Sequence, residues 1–500
     1  MDSFDTASHS PHLRILSDDQ IRNIYQATLA CLQRTGVEVC NQEARQLLHD
    51  AGAKIEGHRV RIPSQIIETT LADAPKAFTI FGQNQKWDMS IESGQVRFGP
   101  GPTCTYFMDP DTGKKRKTQN SDPALTARVC DALDNIDYVM SLGLIDNVRS
   151  SLASVYEFEQ MITHTSKPIL GWAFKKDHLE DIYKIATIVS GGDEAFQNRP
   201  NFGFFSTWQA PLTHTDEDLN NCLWAVEKNI PIIYMGGGVA GLSAPVTGAG
   251  LLVSNLVCML SGLAIFQLKK PGAPICLGAI PAPMDLRTAR VAYGGPEMSL
   301  YSAAISEVAQ SLGVPFMGTA GASEAKGMDL QAAIESTLQV ILAQMSKANM
   351  VHDVGFLDCA DIGSLEMLVM TDEIISQAKR IARGIEVSSD TLMLDLIDEI
   401  GPGGSFIATP ETAGRCREEI YTSDLMDRSA WDTWQENGAE TMLDRIQNKL
   451  ADILSRPPSI QLSSEVLDRI SGVIQAAEQR ESAFVFKKTG QEGGCHVCIS

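Results

Sequence analysis

Short apolar runs alternate with longer amphipathic stretches along most of the chain. The runs predict buried strands, and apolar residues recurring every three or four positions predict helices. The predicted strands are Val96–Gly99, Tyr138–Gly143, Pro168–Trp172, Phe202–Ser206, Pro231–Met235, Pro274–Gly278, Val314–Met317 and Met350–Val354. The predicted helices lie near 122–136, 150–165, 177–190, 215–229, 246–268, 296–312, 329–348 and 363–384. Eight strands alternating with eight helices predict parallel pairing and a closed (β/α)8 TIM barrel.

The alternative fold is an open, doubly wound α/β sheet. No predicted strand is followed by the glycine fingerprint and acidic partner of a dinucleotide site, which disfavours it. Around the barrel, assigned to 95–384, we expect a mostly helical N-terminal extension at 1–94, which begins with a capping box at Ser17. A helical C-terminal unit at 385–481 and a loose polar tail at 482–500 complete the prediction.

Composition indicates a globular protein and disfavours two classes of binding partner. The 500 residues are 44% apolar and 21% charged, with a net charge of -21. A negative surface argues against binding to nucleic acid or anionic membranes. The first residues lack the positive start and apolar core of a signal peptide, and the 11 cysteines are mostly dispersed, so we expect a cytoplasmic protein. Cys495, His496 and Cys498 lack a second ligand pair, so we expect no metal there.

Function in such barrels lies at the carboxyl ends of the strands. These ends are rich in glycine and carry aromatic residues, although only 6% of the chain is aromatic. Aromatic faces attract a quaternary or protonated amine, so these rings are candidates for binding one. The alternative explanation is that the rings only fill space under the loops. The candidate substrate-binding residues are Phe98, Trp172, Phe205, Trp208, His352, Asp353 and Phe356, with Trp208, Phe356 and Phe98 as the expected cage.

Few ionisable residues lie near the predicted mouth. Besides His352 and Asp353 they are Glu324, Lys326 and Asp285, each of which can instead serve as a helix cap, a loop contact or a solvated charge. The chain contains no HExxH, GxSxG or GxxxxGK[ST] motif, so zinc hydrolase, serine hydrolase and P-loop chemistry have no support.

The segment after the seventh predicted strand carries a resemblance. Phe316–Lys326, FMGTAGASEAK, followed by Asp329–Ala332 and Glu335, resembles the signature of the trimethylamine methyltransferase family, which has a barrel fold and depends on a corrinoid. The hairpin Met108–Gly113 and the segment Gly401–Phe406 are also similar to that family. The likeness extends over roughly 17–455.

The resemblance implies an activity and a substrate class. Family members that demethylate trimethylamine contain pyrrolysine, whereas this chain contains only the twenty standard residues. The other members act on quaternary amines such as glycine betaine, proline betaine, carnitine and butyrobetaine. A quaternary ammonium already has a neutral leaving amine, so positioning its methyl group is the main task of the protein. His352 is then a candidate for binding the betaine carboxylate, or it only orders its loop with Asp353.

The resemblance also implies a partner. No histidine stands in the Asp-x-His-x-x-Gly context of a cobalamin domain, so the corrinoid is expected on a separate small protein that covers the barrel mouth. The residues expected to face it are Gly236, Gly237, Gly278, Gly318, Thr319, Gly321 and Ser323. We further expect a homo-oligomer. Two other functions stay open: a lyase or aldolase in which Lys326 forms a Schiff base and the seventh loop binds phosphate, and a betaine-binding protein without turnover.

Overall fold

The structure is a computed structural model that describes residues 11–491. Its centre is a parallel barrel whose strands we label in barrel order. They are β1 (Arg97–Phe98), β2 (the extended segment 137–140), β3 (Ile169–Gly171), β4 (Phe202–Thr207), β5 (Ile232–Gly236), β6 (Ile275–Ala279), β7 (Phe316–Thr319) and β8 (Met350–His352).

Hydrogen bonds close this sheet into a barrel. The order β1-β8-β7-β6-β5-β4-β3 is continuous and parallel. The β2 segment fills the remaining gap, because Val139 pairs with Ile169 on one side and the Asp137 amide donates to the Phe98 carbonyl at 2.7 Å on the other. The predicted TIM barrel is therefore confirmed.

A helix follows every strand and packs outside the barrel. These helices are α1 (Asp122–Ala132), α2 (Ala153–Ile162), α3 (Lys176–Ser190), α4 (Asp216–Glu227), α5 (Gly248–Lys269), α6 (Pro296–Ser311), α7 (Leu330–Met345) and α8 (Leu365–Ala382). Among the described residues, α5 is the one helix long and apolar enough to cross a membrane, and 78% of its apolar window is buried inside the protein.

The interior of the barrel is apolar and closed at its amino end. Tyr138, Met140, Met235, Met317 and Met350 share one buried cluster with side chains of a hairpin that precedes β1. The hairpin strands are Phe78–Ile80 and Met89–Ile91. A Cβ on Gly203, near the start of β4, would lie 2.8 Å from Ile80, which shows that the hairpin seals this end. Only the carboxyl end is left for a ligand.

The N-terminal extension combines helices with a small sheet. Its helices are Asp18–Arg34, Gln42–Asp50 and Ser64–Asp73, and its sheet strands are Val37–Val39, Lys54–Glu56 and Arg59–Arg61. Thr213–His214, from the loop after β4, pairs in parallel with Val37–Val39 and thereby joins the extension to the barrel.

The C-terminal unit is helical as predicted, but its last helix is longer than expected. The helices are Leu394–Ile400, Pro410–Glu419, Trp431–Glu436, Met442–Ser455 and Ser464–Gln491. His178 on α3 contacts Glu481 of the last helix at 3.2 Å, so this helix is anchored on the barrel. Residues 482–491, predicted as loose tail, continue the helix, whereas 492–500, with Cys495, His496 and Cys498, lie outside the described residues.

Candidate functional site

A buried polar cluster lies at the carboxyl ends of β7 and β8. His352 is the last residue of β8 and is 3% exposed. Its Nδ1 lies 2.6 Å from Oδ1 of Asp353, off the line of a directed hydrogen bond, so the contact is mainly electrostatic. Thr319 at the end of β7 donates its hydroxyl to Oδ2 of Asp353 at 2.6 Å, and the Tyr293 hydroxyl donates to the same oxygen.

This cluster holds Asp353 as a carboxylate. Burial alone raises the pKa of Asp353, but His352 and the hydroxyl groups of Thr319 and Tyr293 outweigh burial, so the pKa lies below its ordinary value. The backbone of Asp353 is left-handed, with φ of 76°. Such a conformation costs energy at a non-glycine residue, so the surrounding contacts must hold it in place.

His352 keeps one nitrogen available for a ligand. Its Nε2 is buried and has no hydrogen-bond partner among the described residues. The ring of Phe205 lies beside it, with centroids 6.0 Å apart. Because a buried polar atom without a partner is costly, this nitrogen is a candidate contact for a bound molecule.

An aromatic cavity of about 610 Å³ opens at the same end of the barrel. Phe205 borders it together with Trp172 and Phe174, whose ring centroids are 4.5 Å apart at 90°. The other lining residues are Pro102, Thr103, Leu144, Ala173, Lys175, Ser206, Thr207, Thr215, Glu217 and Asp218. Apolar ring faces and two carboxylates in one cavity suit the positive end of a ligand.

A buried carboxyl group fixes the wall of this cavity. The Trp172 Nε1 donates to Oε2 of Glu157 at 2.8 Å, and the Ile145 amide donates to Oε1 at 3.2 Å. Burial raises the pKa of Glu157 to about 8, although both hydrogen bonds oppose this effect. Glu157 is therefore largely protonated at neutral pH, and it orients the indole.

The structure brings some predicted substrate residues together and leaves others apart. Trp172 and Phe205 line the cavity, the His352 ring lies beside Phe205, and Asp353 contacts His352. The three rings of the expected cage, Phe98, Trp208 and Phe356, are buried in the large apolar cluster and do not border the cavity. Strand alternation turns Phe98 outward, since a Cβ on the next residue would meet the interior Tyr138 ring. This placement does not support the predicted cage.

Most residues expected to face a corrinoid are also buried. Gly237 is half-buried, whereas Gly236, Gly278, Gly318, Thr319, Gly321 and Ser323 are buried. Close packing explains several of these glycines. A Cβ on Gly236 would lie 2.5 Å from the Trp208 ring, and a Cβ on Gly237 would lie 2.8 Å from the Ile280 carbonyl oxygen. Gly321 has φ of 81°, so its turn favours glycine.

Ser323 and its neighbours hold the seventh loop in place. The Ser323 hydroxyl donates to Glu335 at 2.6 Å, and its amide donates to the Phe356 carbonyl at 2.9 Å. Neighbouring amides of the loop, those of residues 320, 322, 324 and 325, also donate to protein acceptors. Amides that are already bonded cannot cradle a phosphate, which removes the basis of the predicted phosphate site.

Lys326 lies outside the barrel interior. Its side chain is 64% exposed, and its Nζ lies 3.0 Å from Oδ1 of Asp358. A Schiff-base lysine requires a desolvated amine next to the substrate. The exposed ion pair therefore disfavours the aldolase alternative. Glu324 is half-buried, and Asp285 accepts from the Arg287 amide in a local turn.

Sequence reasoning missed Phe174, Tyr293 and Glu157. Phe174 is the third residue after β3, so the rule that strand ends carry function could have included it. Tyr293 lies in the long loop after β6, and no local pattern shows that this loop folds back onto Asp353. Glu157 sits on an amphipathic helix, where a carboxylate is normally a solvated residue.

Comparison with known proteins identifies the family. Residues 4–481 match the model of the trimethylamine methyltransferase (MTTB) family. The chain is 27% identical over 467 residues to trimethylamine methyltransferase MttB of Desulfitobacterium hafniense (strain DSM 10664 / DCB-2), covering 92% of this chain and 93% of the relative. It is 29% identical over 435 residues to glycine betaine methyltransferase of Desulfitobacterium hafniense (strain Y51), covering 86% and 90%.

A solved structure supports the fold. The monomethylamine methyltransferase MtmB of Methanosarcina barkeri aligns with a TM-score of 0.51 and 10% identity, over 89% of this chain and 90% of that chain. At this identity the likeness concerns the fold alone. The family match spans nearly the whole sequence and agrees with the barrel and its polar and aromatic mouth. The chain therefore belongs to the trimethylamine methyltransferase family and is a methyltransferase.

Proposed function

We propose that the protein transfers a methyl group from a quaternary amine of the betaine class to a corrinoid carried by a separate protein. The observation that carries the proposal is the aromatic cavity bordered by Trp172, Phe174 and Phe205, with the unpaired Nε2 of His352 beside Phe205. A relative named glycine betaine methyltransferase adds support at the level of the family.

The aromatic rings would hold the ammonium end of the substrate. A quaternary ammonium has no N–H to donate, so ring faces and nearby carboxylates are the groups that attract it. Glu217 and Asp218 border the cavity and supply that negative charge. Each ring contact in a desolvated site contributes about 0.5–2 kcal/mol. Phe205→Leu should therefore raise the half-saturating betaine concentration several-fold.

His352 would hold the carboxylate end. Its Nδ1 lies 2.6 Å from Oδ1 of Asp353, and the nearby carboxylate favours a proton on that nitrogen. Nε2 can then donate to a betaine only when the ring is protonated. Carboxylate binding by His352 therefore predicts that His352→Ala weakens the binding of a betaine much more than the binding of choline, which lacks the carboxylate. An equal loss for both ligands would contradict this role.

The residues at the mouth are more consistent with a corrinoid that arrives on a carrier protein than with a corrinoid that is bound permanently. A reduced corrinoid, when presented, would supply the cobalt nucleophile that accepts the methyl group. The seven residues predicted to contact the corrinoid are mostly buried. The half-buried Gly237 packs closely on the Ile280 carbonyl. The chain's contribution is to orient the ammonium and exclude water. A large residue at Gly237 would therefore disturb this packing, so its effect cannot be assigned to docking.

Exposed cations at the rim offer a docking surface instead. Lys115, Arg290 and Lys326 lie 3.7, 2.9 and 3.0 Å from the carboxylate of Asp358. Arg287, in the same loop as Arg290, is 91% exposed. The same rim holds Asp361, which pairs with Lys115, and Asp285, which pairs with Arg287. The exposed Arg287 is thus one basic contact in a rim of paired charges, and it suits an acidic group on the carrier.

Charge reversal tests this surface. Arg287→Glu should raise the carrier concentration needed for half-maximal rate and make the rate less sensitive to salt, with betaine binding unchanged. Arg469→Glu, on the exposed side of the last helix, is the matched control. Equal effects of the two substitutions would contradict docking at this rim.

Self-association and a cytoplasmic location remain predictions. Leu330, Ile334 and Leu338 form an exposed apolar stripe along α7, which supports contact with a second copy. Ile334→Glu should then lower the molar mass measured by light scattering.

The function is tested by mixing the protein with a reduced corrinoid protein and a panel of quaternary amines. We expect methylcobalt absorbance only when a betaine is present, and no product with trimethylamine. A betaine that binds in calorimetry without any methylcobalt signal would favour the binding protein without turnover. Borohydride trapping of a carbonyl substrate on Lys326 would instead favour the lyase or aldolase.

A further inference from the structure

We propose that Glu38, Cys40 and His58, on the N-terminal extension, form a binding site for Zn²⁺. One ligand atom from each residue lies within 4.8 Å of the other two, and Nδ1 of His58 is 3.9 Å from Oε1 of Glu38. In a tetrahedral zinc site with bonds of about 2.0–2.3 Å, ligand atoms lie about 3.3–3.8 Å apart. Rotation of partly exposed side chains can close this difference. The three residues do not line the aromatic cavity, although Glu217, which borders that cavity, is close enough to act on the Cys40 thiol.

The backbone around the three residues is fixed before any metal binds. Glu38 and Cys40 are two residues apart on an extended segment, so their side chains project from the same face. The amide of Val39, between them, donates to the His58 carbonyl at 2.8 Å, and the Cys40 amide donates to the His214 carbonyl at 2.9 Å. The sheet thus presents the three ligands together and loses little entropy on binding.

The ligand types and the local charge favour zinc. Thiolate, imidazole and carboxylate are the groups that bind Zn²⁺, and three protein ligands leave a fourth position for water. The charged groups that act on the Cys40 thiol are Glu38, Asp216 and Glu217, opposed by Arg45. Arg45 donates to the carbonyls of Val39 and Cys40, so its charge is held on the backbone. Three of the four charged groups that act on the Cys40 thiol are acidic, which favours a cation at the sulfur.

Binding would join two parts of the N-terminal extension. His58 lies in the turn between Lys54–Glu56 and Arg59–Arg61, whereas Glu38 lies on Val37–Val39, which also pairs with Thr213–His214 of the barrel. On binding, the thiol proton of Cys40 leaves to solvent and a sulfur–zinc bond forms, with no change of oxidation state. The expected consequence is that Zn²⁺ stabilises the extension against proteolysis.

The test uses the full chain after metal removal by a chelator. Because Cys495 and Cys498 also offer thiols, both are first replaced by Ser in the parent protein. Co²⁺ serves as the spectroscopic probe. We expect one Co²⁺ per chain with a thiolate charge-transfer band, which Zn²⁺ displaces.

Single substitutions identify the ligands. Cys40→Ser should abolish the band, and His58→Ala should weaken Co²⁺ binding by about tenfold or more. Cys31→Ser, at a half-buried thiol outside the cluster, should leave both unchanged. Glu38→Gln provides a ligand change that preserves the side-chain shape. A parent protein without the band, or a band that survives Cys40→Ser, would overturn the proposal.

Discussion

Replacing Glu157 by Gln tests how the aromatic wall is built. The carboxyl group accepts from Trp172 and from the Ile145 amide, and burial raises its pKa to about 8. For an acid whose folded pKa is raised, folding is most favourable while the group is protonated in both states. The contribution of Glu157 to the stability of the wild-type protein is fully present below pH 4.5, the ordinary pKa of a glutamate, and is lost as pH rises from there toward 8.

The size of the effect follows from the two pKa values. They differ by about 3.5, because the folded value is about 8 and the ordinary value is 4.5. At 1.36 kcal/mol per pKa unit, the full penalty on wild-type stability is about 5 kcal/mol, of which about 3.5 kcal/mol develops between pH 5 and pH 8. Gln carries no charge at any of these pH values, so it avoids this penalty. It loses the Ile145 hydrogen bond, at a cost of about 1–2 kcal/mol independent of pH.

Denaturant unfolding of wild type and Glu157→Gln at several pH values measures the difference. The variant should be the less stable protein near pH 5 and should gain about 3.5 kcal/mol relative to wild type by pH 8. Glu180→Gln, which removes a half-exposed carboxyl on α3, controls for the loss of a charge. Infrared spectroscopy should also show a protonated carboxyl band at neutral pH that the variant lacks. A stability difference that is constant with pH would refute the reasoning.

The structure predicts the effect of three further substitutions. Lys167→Met should lower the free energy of unfolding by about 3–5 kcal/mol, measured with denaturant, because the buried ammonium donates to three backbone carbonyls at 2.6–2.7 Å. Gly101→Ala should depress methyl transfer, because its Cβ would lie 2.6 Å from Oδ1 of Asp353, whereas Gly327→Ala, with no atom nearby, should not. Lys326→Met should leave kcat with saturating carrier within about twofold, since removing an exposed ion pair costs little.

The alternation of strands and helices predicted the barrel because its signals are local. Each strand is a short apolar run whose two faces are buried, and each helix begins and ends close to the predicted positions. Parallel pairing follows from the intervening helices. Even the β2 segment, which makes only an isolated bridge, was visible as the apolar run beginning at Tyr138.

Side-chain direction at the strand ends could not be predicted in the same way. Phe98 and Phe205 both lie on barrel strands, yet the first packs under the helices and the second borders the cavity. A shift of one residue in register exchanges the two faces of a strand. The position of a residue at a strand end therefore does not show whether its side chain points into the barrel or out toward the helices. The contact between Tyr293 and Asp353 joins residues 60 positions apart, so it depends on the path of a long loop.

The glycine- and alanine-rich seventh loop acts by supporting the eighth loop. Gly321 packs so closely that a Cβ would lie 3.2 Å from Val354, and the amides of Asp358 and Cys359 donate to carbonyls of Ala325 and Ser323. Asp358, Cys359 and Ala360 are all left-handed, with φ of 51°, 57° and 66°. Consecutive left-handed residues are unfavourable in isolation, so these cross-loop bonds must hold them. Small residues in one loop thereby fix the strained backbone that follows His352 and Asp353 in the other.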